Sequence, residues 1–137
     1  MESRIEKAIE RHHMGYNCAQ AVACTYCDLL GFDEETTFKM VEGFGFGMGT
    51  MNGTCGALSG AVAVLGMMNS KGLGQYVSKK SGYAIGREIE EGFVAKNGAT
   101  ICRALKGVDT GKVLRSCDGC IEDACAEVEK MLAKNGF

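Results

Sequence analysis

The sequence predicts an all-α fold, a single-domain bundle of about five to six helices joined by glycine-rich loops. Apolar residues recur at helical spacing in several segments, with polar capping residues before them and glycines after them. No segment alternates apolar and polar residues over the length of a strand. The chain has 20 glycines and no proline, so glycine must form most of its turns.

The first half of the chain predicts four helices that begin at capping residues and mostly end at glycines. They cover about residues 2–13, Cys18–Leu30, Asp33 to about Glu42, and Cys55 to about Met68. Asn17 is placed to cap the second helix, and Thr54 or Asn52 to cap the fourth. Gly15 and Gly31 follow the first two helices, where glycine favours termination.

The second half predicts a long helix, a short helical turn and a final helix. The long helix covers Tyr76–Lys96, the turn contains Cys102 with Thr100 as its cap, and the last helix runs from Thr110 or Ser116 to about Lys134. Gly82, Gly86 and Gly92 lie inside the long helix, and each costs about 1 kcal/mol relative to alanine. Gly98 is expected to end it.

Length and charge restrict the class of protein. With 137 residues, 46% of them hydrophobic, and no internal linker or repeat, residues 1–137 predict one domain with its own core. The net charge of −2 and the lack of a basic run argue against nucleic-acid binding. The segment Met1–Lys7 is charged, and no apolar run is long enough to cross a membrane. We therefore expect a cytoplasmic protein with no membrane insertion.

The stretch Gly43–Gly60 is the most unusual segment, with glycine at every second position followed by Cys55. It lacks the spacing and the lysine of a phosphate-binding loop. Its small residues allow tight packing of helices, and glycine permits close approach of the backbone. A third interpretation makes it the wall of a cysteine site.

Eight cysteines in a reducing compartment indicate metal binding or redox chemistry rather than a disulfide framework. Cys18, Cys55 and Cys102 fall at predicted helix starts, where unpaired amides and the helix dipole stabilise a thiolate and lower its pKa. Cys117 lies on the apolar face of the last helix, with Cys120 at the edge of that face.

The cysteine motifs resemble a known family. They are Asn17-Cys18-Ala19-Gln20, Thr54-Cys55-Gly56-Ala57-Leu58-Ser59-Gly60, Cys102-Arg103-Ala104-Leu105, and Cys117 followed by Ile121-Glu122-Asp123-Ala124. Together they resemble the C_GCAxxG_C_C family of redox-active proteins, which is defined by four spaced cysteines. The resemblance implies an α-helical domain, kinship with the cysteine-bearing domain of split-Soret cytochromes, and functional roles for Cys18, Cys55, Cys102 and Cys117.

Haem is not expected, because covalent attachment needs Cys-x-x-Cys-His and both Cys-x-x-Cys pairs lack the histidine. His12 and His13 are interpreted as surface or helix-end residues that bind no metal. Four thiolates suit an iron–sulfur cluster or zinc. We favour iron–sulfur, because the four are widely separated in sequence and backbone amides near Gly56 can donate to cluster sulfurs.

Two alternatives to the cluster stay open. One is metal-free thiol–disulfide chemistry, in which Cys55 attacks and Cys18, Cys102 or Cys117 resolves the mixed disulfide. The other is a zinc-stabilised interaction domain. An oxidoreductase and an electron carrier for a redox partner protein both fit.

Two further questions concern the remaining cysteines and the assembly. Cys24 and Cys27 face away from Cys18 on the second helix, so they are candidates for a second site, as are Cys120 and Cys125. The sequence leaves a homodimer as an open alternative.

Overall fold

A computed structural model describes all 137 residues and contains seven α-helices. The helices are α1 Ile5–Met14, α2 Cys18–Tyr26, α3 Glu34–Val41, α4 Gly56–Asn69, α5 Lys79–Asn97, α6 Cys102–Lys106 and α7 Cys117–Lys134. Short 3-10 turns cover Cys27–Leu30 and Glu42–Phe44, and a single irregular turn covers Gly45–Met48. The all-α prediction is confirmed, and the count exceeds five to six because the segment at Cys102 forms its own helix. No helix is long and apolar enough to cross a membrane.

The predicted cap Asn17 and the predicted helix starts at Asp33 and Ser116 are confirmed, and all three residues are caps. The Asn17 side chain accepts a hydrogen bond from the Gln20 backbone N–H at 2.9 Å, and the Gln20 side chain accepts one from the Asn17 N–H at 3.0 Å. Asp33 accepts from Thr36 at 2.8 Å to cap α3, and Ser116 caps α7. These caps bind donors within three residues, so local sequence is enough to predict them.

The predicted caps of α4 and α6 are wrong. Cys55 itself is the N-cap of α4 and Ile101 is the N-cap of α6, and neither has a side-chain cap. The residues before the two helices pair with each other instead, because Thr54 and Ile101 form an isolated antiparallel bridge. The Cys55 N–H donates to Thr100 O at 2.7 Å, and the Cys102 N–H to Gly53 O at 3.0 Å. This pairing fixes Cys55 beside Cys102.

The core is built around α4, which packs against α2, α5 and α7. Two glycines let α4 approach α2 closely. A Cβ added at Gly60 would lie 2.7 Å from the carbonyl oxygen of Ala19, and one at Gly56 would lie 3.2 Å from the Ala19 nitrogen. The packing interpretation of the glycine-rich stretch is therefore correct, and the close crossing also brings the starts of α2 and α4 together.

The glycine-rich stretch before α4 has an unusual backbone. Phe46, Met48 and Met51 have φ values of 56°, 61° and 65°, a region that non-glycine residues rarely occupy. Hydrogen bonds hold it there: the Met51 N–H donates to Phe46 O at 2.8 Å, and the Arg103 N–H donates to Met51 O at 2.8 Å. The start of α6 thus keeps this segment in its strained conformation.

Candidate functional site: a cysteine cluster at converging helix starts

The cluster forms where four helices begin. Cys18, Cys102 and Cys117 are the first residues of α2, α6 and α7, and Cys55 immediately precedes α4. Cys55 and Cys102 are only 4% and 5% exposed, whereas Cys18 and Cys117 are half-buried. Electrostatic repulsion from Cys55 and from Cys117 raises the pKa of both Cys18 and Cys102. The four sequence-predicted cysteines are therefore neighbours in the fold.

Within the cluster the sulfurs of Cys18 and Cys117 lie within 4.8 Å of each other. Cys55 and Cys120 are both buried in the same hydrophobic core. Cys120 is fully buried, although the sequence analysis placed it at the edge of the apolar face. The signal for its role was its spacing of three residues from Cys117, which puts both side chains on neighbouring positions of one helix face.

His12 also joins the cluster. One of its ring nitrogens lies with the sulfurs of Cys18 and Cys117 in a group whose ligand atoms are all within 4.8 Å of one another. The ring nitrogen Nδ1 is 2.8 Å from the carbonyl oxygen of Tyr16. His12 is in the last turn of α1, as predicted, but its place beside two cysteines was not predicted. The short turn through Gly15 was the available signal, because it must place the end of α1 near the start of α2.

Lys106 supplies a positive charge that sequence reasoning missed. Its Nζ donates to the Cys117 sulfur at 2.6 Å. Lys106 is the last residue of α6 and lies four residues after Cys102, so both side chains share one face of that helix.

Cys117 is the most acidic thiol of the cluster. Donation from the Cys18 thiol, together with the Lys106 ammonium, lowers the pKa of Cys117 to about 5, even though burial opposes this. The pKa of Cys18 is raised, because its thiol proton is hydrogen-bonded to the Cys117 sulfur and because burial disfavours a second negative charge. The prediction that the helix start lowers the pKa of Cys18 is therefore wrong, since the neighbouring thiolate outweighs the backbone amides.

Cys55 behaves as its place at a helix start predicts. Donation from the Cys120 thiol, aided by the backbone N–H groups of Ala57 and Leu58, lowers the pKa of Cys55 to about 7. In return, the pKa of Cys120 is raised. Burial raises the pKa of Cys102, so the same prediction is wrong for that residue.

Glycine forms one wall of the cluster. A Cβ added at Gly47 would lie 2.5 Å from the Cβ of Cys102, and φ at Gly47 is +58°. Gly56 begins α4 directly after Cys55, and a Cβ added there would lie 3.2 Å from backbone atoms of Ala19, Gly45 and Phe44. Side chains at these positions would push the loop away from the cysteines.

The other three cysteines lie outside the cluster. The thiol of Cys24 donates to Glu34 O at 3.7 Å and that of Cys27 to Cys24 O at 3.6 Å. Burial, followed by the neighbouring Cys27, raises the pKa of Cys24 to about 12. Burial likewise raises the pKa of Cys125 to about 12, and its thiol contacts Tyr26 rather than Cys120. The pairing of Cys120 with Cys125 is therefore not formed.

The fold and the site define an all-α, cysteine-rich domain with one compact cluster of thiols. A family model described as "Putative redox-active protein (C_GCAxxG_C_C)" matches residues 16–131, and the chain belongs to this family. No curated protein and no solved structure matches the chain. The matched range contains all the cysteines of the cluster, whereas His12 precedes it.

Proposed function

We propose that this chain is a redox protein in which Cys18, Cys55, Cys102 and Cys117 ligate an iron–sulfur cluster for electron transfer. The supporting observation is the convergence of thiols from four separate helix starts. Cysteine thiolates are the usual ligands of such clusters.

The spread of the donor atoms supports a group larger than one ion. Only His12, Cys18 and Cys117 form a set of three donors within 4.8 Å of one another. Four sulfurs around a single zinc ion, each about 2.3 Å from it, would all lie closer together than this. The wider arrangement of the four cysteines suits a polynuclear cluster.

The chain's own groups would hold such a cluster in three ways. Two thiols, Cys55 and Cys117, are already acidic enough to be ligands near neutral pH. The Lys106 ammonium offsets part of the negative charge of the thiolates. The glycine wall at Gly47 and Gly56 lets the backbone approach. When bound, the cluster would supply one-electron transfer to and from a redox partner protein.

Metal-free thiol–disulfide exchange is the second candidate, and the approach of the Cys18 and Cys117 sulfurs to within 4.8 Å of each other favours it. The Cys117 thiolate would attack a partner protein's disulfide and release one partner sulfur as a thiolate. Cys18 would then lose its proton to solvent, bond to Cys117 and release the other partner sulfur. The partner gains two electrons and the site becomes a disulfide. Exposure favours Cys117 over Cys55 as the attacking group, because Cys55 is 4% exposed.

Zinc is the alternative metal, and the triad of His12, Cys18 and Cys117 favours it. Two sulfurs and one imidazole nitrogen match the ligand set of known zinc sites. Nδ1 of His12 lies 2.8 Å from the carbonyl oxygen of Tyr16, and a hydrogen bond to a backbone carbonyl is a usual way to orient a metal-binding histidine.

Anaerobic purification followed by metal and sulfide analysis distinguishes these functions. We expect iron, acid-labile sulfide and a visible charge-transfer spectrum that depend on all four proposed ligands. Zinc without sulfide would support the triad instead. A colourless, metal-free protein with a reversible intramolecular disulfide would overturn the cluster and support thiol exchange.

A further inference from the structure

A cavity separate from the cysteine cluster lies in the seam between α4 and α5, below the loop that joins them. Its volume is about 680 Å³, and no cysteine lines it. The apolar walls come from Val62 and Leu65 of α4 and from the rings of Tyr76 and Tyr83, both of which are mostly exposed. Sites for small molecules are typically clefts of about 300–1,000 Å³ with apolar and aromatic walls. The α4–α5 seam therefore has the size and the lining of a ligand site.

Two glycines line this cavity although helix packing does not require them. A Cβ added at Gly66 would meet no atom within 4 Å, and one at Gly86 would lie at an ordinary contact distance of 3.6 Å from Leu65. Gly92 on the same helix differs, because a Cβ there would clash with the Glu127 carboxylate. A glycine inside a helix costs about 1 kcal/mol relative to alanine. What Gly66 and Gly86 provide in return is the open space of the cavity.

The cavity also has positive charge without a partner in the fold. Lys79 and Arg87 of α5 both line it. The other four arginines of the chain each bind an aspartate or a glutamate at 2.7–3.0 Å, whereas Arg87 forms no ion pair. A guanidinium binds carboxylate, sulfonate and phosphate groups through charge-assisted hydrogen bonds. Charge complementarity therefore favours a ligand that carries an anionic group.

The seam continues towards the cysteine cluster. A second cavity of about 620 Å³ shares three lining residues with the first, among them Glu90. Its lining also includes Thr54 and Ile101, which directly precede Cys55 and Cys102. The Glu90 carboxylate disfavours an anion where the two cavities meet. The anionic group of a ligand is therefore expected at the end with the two cations, and its apolar part towards the cysteines.

We propose that the α4–α5 seam binds a small amphipathic anion, with an aromatic body between Tyr76 and Tyr83 and an acidic group held by Arg87 and Lys79. Aromatic ligands suit these walls because tyrosine rings stack on other rings. Binding would also cover apolar ring surface that the fold leaves in water. The proposal goes beyond the redox function and does not depend on it, because no cysteine lines either cavity.

The first experiment tests the anionic group by calorimetric titration with two probes. Anilinonaphthalene sulfonate has two apolar ring systems and a sulfonate, and phenylnaphthylamine has the same rings without the sulfonate. We expect one equivalent of the sulfonate probe per chain, and an affinity at least about 10-fold lower in R87M, because a charge-assisted hydrogen bond is lost. Phenylnaphthylamine should bind equally to both proteins.

The matched control for charge is K80M, which removes one positive charge from an exposed residue of the same helix that does not line the cavity. We expect K80M to bind both probes as the wild-type protein does. Equal affinity of R87M and the wild-type protein for the sulfonate probe would overturn the assignment of an anionic ligand, and so would an equal loss in K80M and R87M.

The second experiment fills the cavity by comparing G66F with A84F. Both variants add one phenyl group at an exposed helical position, but only residue 66 lines the cavity. We expect G66F to bind both probes at least about 10-fold more weakly, a loss of 1.4 kcal/mol or more. A84F should bind them as the wild-type protein does, and circular dichroism should show that both variants are folded. Wild-type affinities in G66F would overturn the site.

Sedimentation velocity of the same proteins distinguishes a small ligand from a second copy of the chain. We expect the wild-type protein and G66F to sediment alike. A wild-type dimer that excludes both probes and that G66F dissociates would assign the seam to a second copy, and would overturn the proposal of a small ligand.

Discussion

The chain contains two Cys-x-x-Cys segments with the same spacing and opposite environments. Cys117 and Cys120 lie in the first turn of α7, beside Lys106 and two other cysteines. Cys24 and Cys27 lie at the end of α2, where both thiols donate to backbone carbonyls. The Cys18 thiol and the Lys106 ammonium lower the pKa of Cys117, whereas burial and the neighbouring Cys27 raise that of Cys24. The groups that surround each segment, rather than the motif itself, thus separate an acidic thiol from an inert one.

The largest expected effect of this difference is on alkylation. At pH 7 a thiol with a pKa of about 5 is almost fully ionised, whereas one with a pKa of about 12 is ionised to about one part in 10⁵. An acidic thiolate is also a weaker nucleophile, which reduces this advantage in rate by roughly three orders of magnitude. We expect iodoacetamide to modify Cys117 at least about 100-fold faster than Cys24 in reduced, chelator-treated protein.

The pH dependence of the same reaction gives a second readout. Because the pKa of Cys117 is lowered, its alkylation rate should stay constant from neutral pH down to about pH 6 and fall as the pH drops through about 5. The rate at an ordinary thiol keeps rising up to about pH 8–9. Peptide-resolved mass spectrometry measures both rates, and equal labelling of Cys24 and Cys117 would contradict the comparison.

Removal of the Lys106 charge is the next largest change. An opposite charge in contact typically shifts a pKa by roughly 1–3 units, so we expect K106M to raise the pKa of Cys117 by an amount in this range. The midpoint of the alkylation profile should move up accordingly, and Cys24 should be unaffected. K112M is the matched control, because Lys112 lies in the exposed loop between α6 and α7. An unchanged midpoint in K106M would show that Cys18 alone accounts for the acidity.

The two segments also show which parts of the fold local sequence can predict. The cap at Asn17 and the helix starts at Asp33 and Ser116 could be predicted because each of these side chains binds a donor within three residues. The orientation of Cys24 and Cys27 away from Cys18 followed from the period of the helix.

Contacts between distant segments could not be predicted in this way. The bridge between Thr54 and Ile101, the donation from Cys120 to Cys55 and the approach of His12 all join residues from different elements. Neither hydrophobic periodicity nor a capping residue indicates such contacts. The pKa predictions for Cys18 and Cys102 are wrong for the same reason, because they counted only the backbone amides of each helix.

Substitutions at the crossing of α2 and α4 are expected to change the free energy of unfolding by a moderate amount. A Cβ at Gly60 would clash with the Ala19 backbone, and moving either helix backbone costs free energy. A Cβ at Gly66, on the same helix, would have no neighbour within 4 Å. We expect G60A to destabilise the protein by roughly 1–3 kcal/mol. We expect G66A to stabilise it by about 1 kcal/mol or less, because alanine favours the helix.

Urea unfolding of both variants measures these free energies. Because Cys18 and Cys55 lie at the starts of the two crossing helices, G60A should also slow the formation of disulfides within the cluster. Equal stability of G60A and G66A would mean that the two helices do not cross as closely as the structure has them.

The smallest effect on the site is expected from the second Cys-x-x-Cys segment. Serine at residues 24 and 27 keeps a hydrogen-bond donor for the two backbone carbonyls that the thiols contact. The double variant C24S/C27S should therefore still fold, with a loss of stability in the usual range of about 0.5–3 kcal/mol. Its metal content and its rate of Cys117 alkylation should equal those of the wild-type protein. The corresponding change in α7, C117S/C120S, removes a proposed ligand and should abolish metal binding. Loss of metal in C24S/C27S would show that the end of α2 contributes to the site, and would contradict the separation of the two segments.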